Sequence, residues 1–355
     1  MDYGPNPAAP KVEKIILITR QTRLEESIKR FNTVGQAKYF VESRGQSFDD
    51  YVLEYDNYQR ARDALVRSIP ADIRFQVIDR TALPNFLFGP NDLAVPLGQD
   101  GLVVNCAKYL TGQPVLAFNP DPERFDGILL PFLWNDSIRV IQDALAGNMA
   151  MREISMARAD LNDGQHLYAF NDFFIGARSH TSARYTLRYR NTAERHSSSG
   201  VIVSTPAGST GWLSSLYNMA AGIEDFVNRS VSAAPPAKKY TKKKADFGSK
   251  GNSANPSTSA GSPKAFAGQE SRTLRWEDRK LIFMVREPFR SNWSGADVVA
   301  GEIRDQECLT MESHMPEDGV IFSDGMLEDF IQFNSGATVE IRLAEKSTRL
   351  LVSPA

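Results

Sequence analysis

The stretch between Leu93 and Leu110 contains three kinds of sequence in a row: Leu93-Ala-Val-Pro-Leu97, Gly98-Gln-Asp-Gly101 and Leu102-Val-Val-Asn-Cys-Ala-Lys-Tyr-Leu110. The first segment is short and apolar, as a buried strand is, and the last has apolar residues at helical spacing. The glycines between them are typical of a turn. This stretch therefore predicts a strand, a turn and a helix, the repeating unit of α/β proteins.

Strands and helices alternate on both sides of this unit. Apolar strand-like runs occur at Lys14–Thr19, Ile73–Ile78 and Val115–Phe118, and helical spacing occurs at Asp56–Ser68. Short apolar runs rich in β-branched residues are typical of strands buried on both faces. The alternation predicts a doubly wound α/β sheet that extends to about residue 135.

The hydrophobic period changes in the second half of the chain. Short strand-like segments separated by turns replace the alternation, at Tyr185–Arg190, Gly200–Thr205, Lys280–Val285, Glu307–Ser313, Gly319–Phe322 and Thr338–Leu343. Many short strands at this spacing favour a two-layered antiparallel structure over one open sheet. We therefore predict an α+β protein with a C-terminal antiparallel β-sandwich domain.

Composition excludes several classes of protein. The chain has 355 residues, 41 Lys and Arg, 43 Asp and Glu, and a net charge of -2. A single core stops growing at roughly 250–300 residues, so two domains are expected, and the near-neutral charge argues against a nucleic-acid-coating protein. No apolar run approaches the roughly 20 residues of a membrane span, and the start resembles neither a signal nor a transit peptide. Two cysteines and four histidines without ligand spacing fit a reducing, cytoplasmic compartment and no structural metal site.

One segment differs in composition from the rest. Residues from about 232 to 270 are mostly Ala, Pro, Ser, Gly and Lys. Such a sequence buries too little apolar surface to offset the entropy of ordering, which predicts a disordered insertion. It is interpreted as a solvated loop, with an electrostatic tether for an acidic partner as the functional alternative.

The turn Gly98-Gln-Asp-Gly101 is the first candidate site. Ligands of open α/β sheets bind beyond the carboxyl ends of the strands, and amides at a helix N-terminus attract phosphate. A carboxylate there is useful if Asp100 takes a proton from an attacking hydroxyl or holds Mg²⁺ against phosphates. The alternative is a polar turn in which the Asp caps the helix.

The second candidate is the turn Thr205-Pro-Ala-Gly-Ser-Thr-Gly-Trp212, which lies between a strand and a helical stretch. Its hydroxyls and amides suit a nucleotide sugar or base edge, whereas the alternative is a capped Gly/Ser turn. A third candidate, Asn171-Asp172, could hold a ribose diol or form an Asx turn. A fourth, the loop Asn119–Arg124, offers Arg124 either to Asp121 or Glu123 in an ion pair or to a phosphate.

In this order, the motifs resemble those of the NAD kinase family. Gly98-Gln-Asp-Gly101, Asn171-Asp172 and Thr205–Thr210 are similar to three family motifs. The loop Asp121–Arg124, Ser198-Ser-Gly200, Phe283–Pro288, Thr19-Arg20 and Asp324-Gly325 resemble the mitochondrial type of NAD kinase. The resemblance covers nearly the whole chain except the first ten residues and the lysine-rich insertion.

The resemblance implies a fold and a reaction. It implies an N-terminal α/β domain, a C-terminal β-sandwich and a chain end that returns to the first domain. The implied bounds are residues 1–10 (flexible), 11–135 (α/β), 136–330 (dinucleotide-binding β-sandwich) and 331–355 (returning segment). The implied reaction is phosphoryl transfer from ATP or polyphosphate, with Mg²⁺, to the 2′-hydroxyl of the adenosine ribose of NAD, in a homodimer or larger homo-oligomer.

The same resemblance assigns roles to individual residues. Asp100 is the implied general base. The implied phosphate contacts are Gly98, Gly101 and Arg124. The implied NAD contacts are Asn171, Asp172, Thr205, Ser209, Thr210, Gly211, Trp212 and Ser215.

Two residues depart from the family's phosphate turn. Gln99 replaces a glycine, which predicts strain if that position needs positive φ, and Leu102 replaces a threonine hydroxyl. Two alternatives therefore stay open: a dinucleotide-binding sensor without activity, and a kinase of another hydroxyl, on a sugar or a lipid.

Overall fold

The structure is a computed structural model that describes residues 12–232, 274–326 and 329–354. The predicted flexible N-terminus over 1–10 lies outside these residues, as does the predicted insertion beyond Ser232.

The described residues form both kinds of element in the predicted order. The helices are α1 (Arg23–Phe31), α2 (Val34–Glu42), α3 (Phe48–Ser68), α4 (Asp100–Tyr109), α5 (Ser137–Ala146) and α6 (Trp212–Ser232). The strands of the first half are β1 (Lys14–Thr19), β2 (Arg74–Asp79), β3 (Asp92–Pro96), β4 (Pro114–Val115), β5 (Phe118–Asn119) and β6 (Phe132–Leu133). Those of the second half are β7 (Ala150–Leu161), β8 (His166–Ala169), β9 (Asp172–Ala177), β10 (Ala183–Tyr189), β11 (Thr192–Ser198), β12 (Val201–Ser204), β13 (Lys280–Val285), β14 (Ala300–Arg304), β15 (Leu309–Ser313), β16 (Gly319–Ser323), β17 (Phe330–Gln332) and β18 (Thr338–Val352).

The N-terminal sheet is parallel and covered on both faces. Its strands lie in the order β2-β1-β3-β4, and β1 pairs with β2 and β3. Ile15 and Leu17 point toward α3 and α5, whereas Ile16 and Ile18 point toward α4. A sheet buried on both faces needs strands that are apolar on both, which confirms the predicted doubly wound α/β domain.

Two predicted elements of the N-terminal half differ clearly from the observed ones. The run Val115–Phe118 is not one strand, because Val115 pairs with Ala94 in the main sheet while Phe118 pairs with Phe132 in a separate ribbon. The helix predicted from Asp56 begins earlier, at Phe48. Its first two turns are rich in acidic and aromatic residues, so periodicity alone does not mark its start.

The second half is a β-sandwich, as predicted. One layer contains β7, β8, β10, β11, β15 and β18, and the other has the order β14-β13-β12-β9-β16-β17. The inward side chains of both layers form one core, which includes Phe173, Tyr185, Phe283 and Ile341. Two antiparallel sheets packed on a shared apolar core are the definition of this architecture.

Strand β18 connects the two halves. Its first residues pair with β15, its whole length pairs with β7, and Arg349 and Leu350 pair in parallel with β4. The parallel sheet and one layer of the sandwich are therefore a single 10-stranded sheet. A register shift between Leu343 and Ser347 accommodates the change from one half to the other.

Candidate functional site

The turn Gly98–Gly101 lies at the carboxyl edge of the parallel sheet. The Gly98 amide donates to the Phe118 carbonyl at 3.3 Å, and the Leu97 amide donates to Ile18 at 2.9 Å. The Tyr58 hydroxyl joins the ends of β1 and β3, because it accepts from the Arg20 amide at 2.9 Å and donates to the Leu97 carbonyl at 3.0 Å. The turn is thus held to three neighbouring chain segments at the edge where α/β proteins bind ligands.

Asp100 is the first residue of α4, and its carboxylate faces a neighbouring loop. It accepts hydrogen bonds from the amides of Leu129 at 2.8 Å and Ile128 at 3.3 Å. The N-cap of α4 is Gln99, which makes no side-chain cap bond, so Asp100 does not have the capping role considered as the alternative. A carboxylate has about four lone-pair positions, so two accepted bonds leave capacity for a ligand.

The two unusual residues of this turn have different surroundings. Gln99 has φ -103° and ψ 167°, an extended conformation that any residue adopts, so the side chain there causes no backbone strain. Leu102 is 4% exposed and packs in the core beneath α4. Position 102 therefore contributes apolar packing, not a hydroxyl, to this turn.

Arg124 belongs to a cluster of ion pairs beside the turn. Its guanidinium binds both Asp50 oxygens, at 3.0 and 2.7 Å, and Asp121 at 3.3 Å. Asp121 is the partner that the sequence analysis considered. Arg124 and Arg23 bind the Asp50 carboxylate and lower its pKa to about 2. Here Arg124 pairs with carboxylates, and its predicted phosphate contact stays a prediction.

The segment Phe170–Asp172 is held by a carboxylate from the turn after β16. Asp324 accepts from the amide of Asn171 at 2.6 Å, of Phe170 at 3.2 Å and of Asp172 at 3.3 Å. Its own amide donates to the Asp172 carbonyl at 2.9 Å. The Asn171–Asp172 turn is therefore shaped by Asp324, which neither the Asx-turn nor the ribose interpretation had included.

Thr205 joins the second candidate turn to the same segment. Its amide donates to the Asn171 carbonyl at 2.8 Å, and its hydroxyl donates to the Phe170 carbonyl at 2.5 Å. The Gly208 amide in turn donates to the Thr205 hydroxyl at 3.2 Å. Asn171, Asp172 and Thr205 thus form one structural unit.

The Asp172 carboxyl lies in a buried position, with the residue 8% exposed. Burial and the neighbouring Asp324 raise its pKa to about 7, against the opposing influence of Lys108. A buried carboxyl with a pKa near neutrality is a common feature of functional sites, although structural charge clusters also produce it.

The remaining predicted contacts lie where the turn meets α6. The Ser209 hydroxyl is buried and donates to the Pro206 carbonyl at 2.7 Å. Thr210, Gly211, Trp212 and Ser215 are exposed. The Trp212 ring stacks on Phe174 at 5.7 Å between centroids, and the Arg286 guanidinium lies 5.3 Å from the Trp212 ring.

One apolar core connects the two candidate turns. Leu102 of α4 and Phe170 belong to one buried apolar cluster, and the partly buried Ala207 packs against it. Leu102 follows Gly101 and Phe170 precedes Asn171, so the same core packs beneath the α4 turn and beneath the segment that contains Asn171 and Asp172. Over residues 12–232, 274–326 and 329–354, no group of three His, Cys, Asp or Glu side chains could hold a metal ion. Nor does any helix of that described part have the length and apolarity to cross a membrane.

Comparison with known proteins identifies the fold. No family model matches the sequence, and a search of curated proteins finds no sequence match. Among solved structures, yeast NADH kinase, complexed with NADH, matches with a TM-score of 0.53 at 14% identity, over 99% of this chain and 89% of that chain. The chain has the NAD kinase fold.

An NAD kinase from Archaeoglobus fulgidus, solved in complex with ATP, also matches, with a TM-score of 0.49 at 14% identity over 95% of this chain and 92% of that chain.

Within the NAD kinase fold of this chain, sequence reasoning missed Lys108 as a buried partner of Asp324. It quoted Asp324-Gly325 only as part of a resemblance. The one local signal was an Asp-Gly pair directly after a strand, where Asp324 adopts a positive φ of 55°.

Proposed function

We propose that this chain is an NAD kinase-like phosphotransferase, which transfers a phosphoryl group from ATP or polyphosphate to the 2′-hydroxyl of the adenosine ribose of NAD and forms NADP. The observation that carries the proposal is the position of Asp100 at the N-terminus of α4, a helix that shares one apolar core with Phe170, the residue before Asn171. The fold supports it, since yeast NADH kinase has the same fold.

Phosphoryl transfer depends mainly on positioning and on neutralising charge. In the proposed reaction Asp100 takes the proton from the ribose hydroxyl, and the backbone around Gly98 and Gly101 at the start of α4 receives phosphate oxygens. Asn171, Asp172 and Thr205 orient the ribose, and Thr210, Gly211, Trp212 and Ser215 contact the rest of the dinucleotide. Arg124 releases the carboxylates of Asp50 and Asp121 and binds the donor phosphates instead.

Mg²⁺ fits the residues of this site. The ion usually keeps several waters and binds one or two carboxylates together with substrate phosphates, so it needs no cluster of protein ligands. Asp100 would be the carboxylate nearest the phosphates. When bound, Mg²⁺ would neutralise charge on the transferred group.

The first test is a coupled assay of NADP formation with purified protein, NAD, Mg²⁺ and either ATP or polyphosphate. A positioned base typically contributes about 10²–10⁴ in rate, so Asp100→Asn is expected to lower kcat by that factor with little change in NAD affinity. Asp49→Asn, at an exposed carboxylate in the first turn of α3, is the matched control and is expected to act like wild type. Wild-type turnover in Asp100→Asn would remove Asp100 from the role of base.

A sensor that binds dinucleotide without turnover is the second candidate. The burial of Leu102 favours it, because an apolar side chain occupies the place where a hydroxyl would serve phosphate or metal. NAD binding by calorimetry with no product from either donor would support the sensor. Phosphorylation of a sugar or lipid instead of NAD would support the third possibility.

We also propose a cytoplasmic homo-oligomer. Helix α6 supports self-association, because it exposes the large apolar side chains Met219, Ile223 and Val227. A continuous exposed apolar patch is typical of a protein interface.

A further inference from the structure

Lys108 is a buried cation in the same helix as Asp100. It lies eight residues further along α4, about 12 Å at the rise of an α-helix. Its side chain is 4% exposed. A lysine is almost never buried to this extent unless it is paired, so its partners carry information about its role.

The partners of Lys108 come from the turn after β16. The ammonium lies 3.0 Å from Asp324 Oδ2, and it donates to Asp329 Oδ2 at 2.7 Å. The Asp324 side chain is fully buried, whereas that of Asp329 is 24% exposed. Asp324 is therefore the partner whose charge most requires Lys108.

The other contacts of Asp324 lead to the proposed dinucleotide contacts. Its carboxylate accepts the amides of Phe170, Asn171 and Asp172. An ion pair and hydrogen bonds thus connect α4, through Asp324, to the backbone of Asn171 and Asp172. Rigid connections of this kind determine how accurately two parts of an active site are aligned.

We infer that Lys108 is a positioning residue, which holds Asp324 and through it the Phe170–Asp172 backbone in register with the helix that begins at Asp100. The inference rests on the proposed function, in which Asn171 and Asp172 bind the dinucleotide and Asp100 takes the proton from the ribose hydroxyl. Lys108 itself is placed too far along α4 to act on the reacting atoms.

The first experiment separates positioning from stability by kinetics. Lys108→Met is expected to raise the KM for NAD at least tenfold while the KM for ATP changes less than twofold. Asp324→Asn leaves Lys108 paired with Asp329, and it is likewise expected to raise the KM for NAD with little change in the KM for ATP. It is therefore the informative variant if Lys108→Met does not fold. A purely structural role would lower the melting temperature and the active fraction but leave both KM values unchanged.

Lys346→Met is the matched control. Lys346 is a partly buried lysine of β18 that contacts the end of α4, where it donates to the carbonyls of Lys108 at 2.6 Å and Leu110 at 3.0 Å. The Lys346 ammonium also lies 3.8 Å from the centroid of the Tyr168 ring. Its loss is expected to lower stability without changing the KM for NAD.

Amide hydrogen exchange tests the inference even if the protein has no kinase activity. Lys108→Met or Asp324→Asn is expected to accelerate exchange at Phe170, Asn171 and Asp172 at least tenfold relative to the amides of β13, and Lys346→Met is not. Unchanged exchange at these three amides in both variants would overturn the positioning role. Altered exchange together with an absence of NADP formation would overturn only the proposed function.

Discussion

The Asp172 carboxyl has an unusual balance of interactions for a single residue. Burial and the neighbouring Asp324 oppose its ionisation, Lys108 favours it, and its pKa rises from 3.8 to about 7. Between these values the folded protein holds a proton that the unfolded chain has released. The contribution of Asp172 to stability is therefore greatest below about pH 4 and is lost as the pH rises to 7.

Asp172→Asn is expected to remove this pH dependence. Above pH 7 the variant avoids a buried, poorly compensated charge, so its melting temperature should exceed that of wild type at pH 8, with a smaller difference at pH 5. Each kcal/mol corresponds to roughly 2–4 °C for a domain of this size. Thermal unfolding at the two pH values measures the effect, and Asp56→Asn, on an exposed position of α3, is the control. Equal differences at both pH values would contradict the raised pKa.

The turn that joins β12 to α6 depends on a close approach between elements. A Cβ atom at Gly208 would lie 2.1 Å from the Asn171 carbonyl oxygen and 2.6 Å from its carbon. Both atoms belong to the backbone, and the Thr205 bonds hold that backbone in place. Glycine is needed here for space, since Gly208 is not among the glycines with positive φ.

Gly208→Ala is expected to separate this turn from the Asn171–Asp172 segment. The free energy of unfolding should fall by about 3 kcal/mol or more, because a backbone carbonyl cannot move as a flexible side chain can. Gly222→Ala, in α6 with no atom within 4 Å of the new Cβ, should instead stabilise the helix by about 1 kcal/mol. Urea unfolding measures both changes. A Gly208→Ala protein as stable as Gly222→Ala would show that the turn relaxes freely.

Strand β18 gives the whole molecule a continuous sheet. Leu350, which is 1% exposed, pairs with Val115 of the N-terminal sheet and packs in the same cluster as Cys106. The Cys106 thiol is fully buried, and burial raises its pKa well above the usual range, whereas Cys308 is exposed. A thiol reagent can therefore react with Cys106 only when the protein unfolds around it. Its reaction with Cys308 measures the reactivity of a thiol that is already exposed to solvent.

Leu350→Ala is expected to lower the free energy of unfolding by about 2–5 kcal/mol, because it leaves a cavity where the chain end meets the first domain. Labelling of Cys106 by a thiol reagent should accelerate accordingly, while Cys308 labels at the wild-type rate. Leu87→Ala, at a side chain that is 93% exposed, is the matched control. Slow Cys106 labelling in Leu350→Ala would mean that β18 is dispensable for the N-terminal core.

Local pattern was enough to predict the fold class and the position of most elements that the sequence analysis named. Lys14–Thr19 and Lys280–Val285 are strands with the predicted bounds, because their apolar residues are contiguous or alternate cleanly. The glycine turns before α4 and α6 were likewise visible, since turn residues act locally. The division of Val115–Phe118 between two sheets was not, because pairing partners decide it.

By itself, the sequence determined which segments are strand, helix or turn and which residues carry candidate chemistry, because propensity and periodicity act over a few neighbouring residues. The roles assigned to Asp100, Asn171 and Thr205 came from a resemblance and stay predictions. Only the tertiary structure decided that β18 unites both sheets and that Lys108 meets carboxylates, one of them 221 residues away. Such contacts leave no local pattern, since a lysine in a helix has the same sequence signature whether it is solvated or buried against an aspartate.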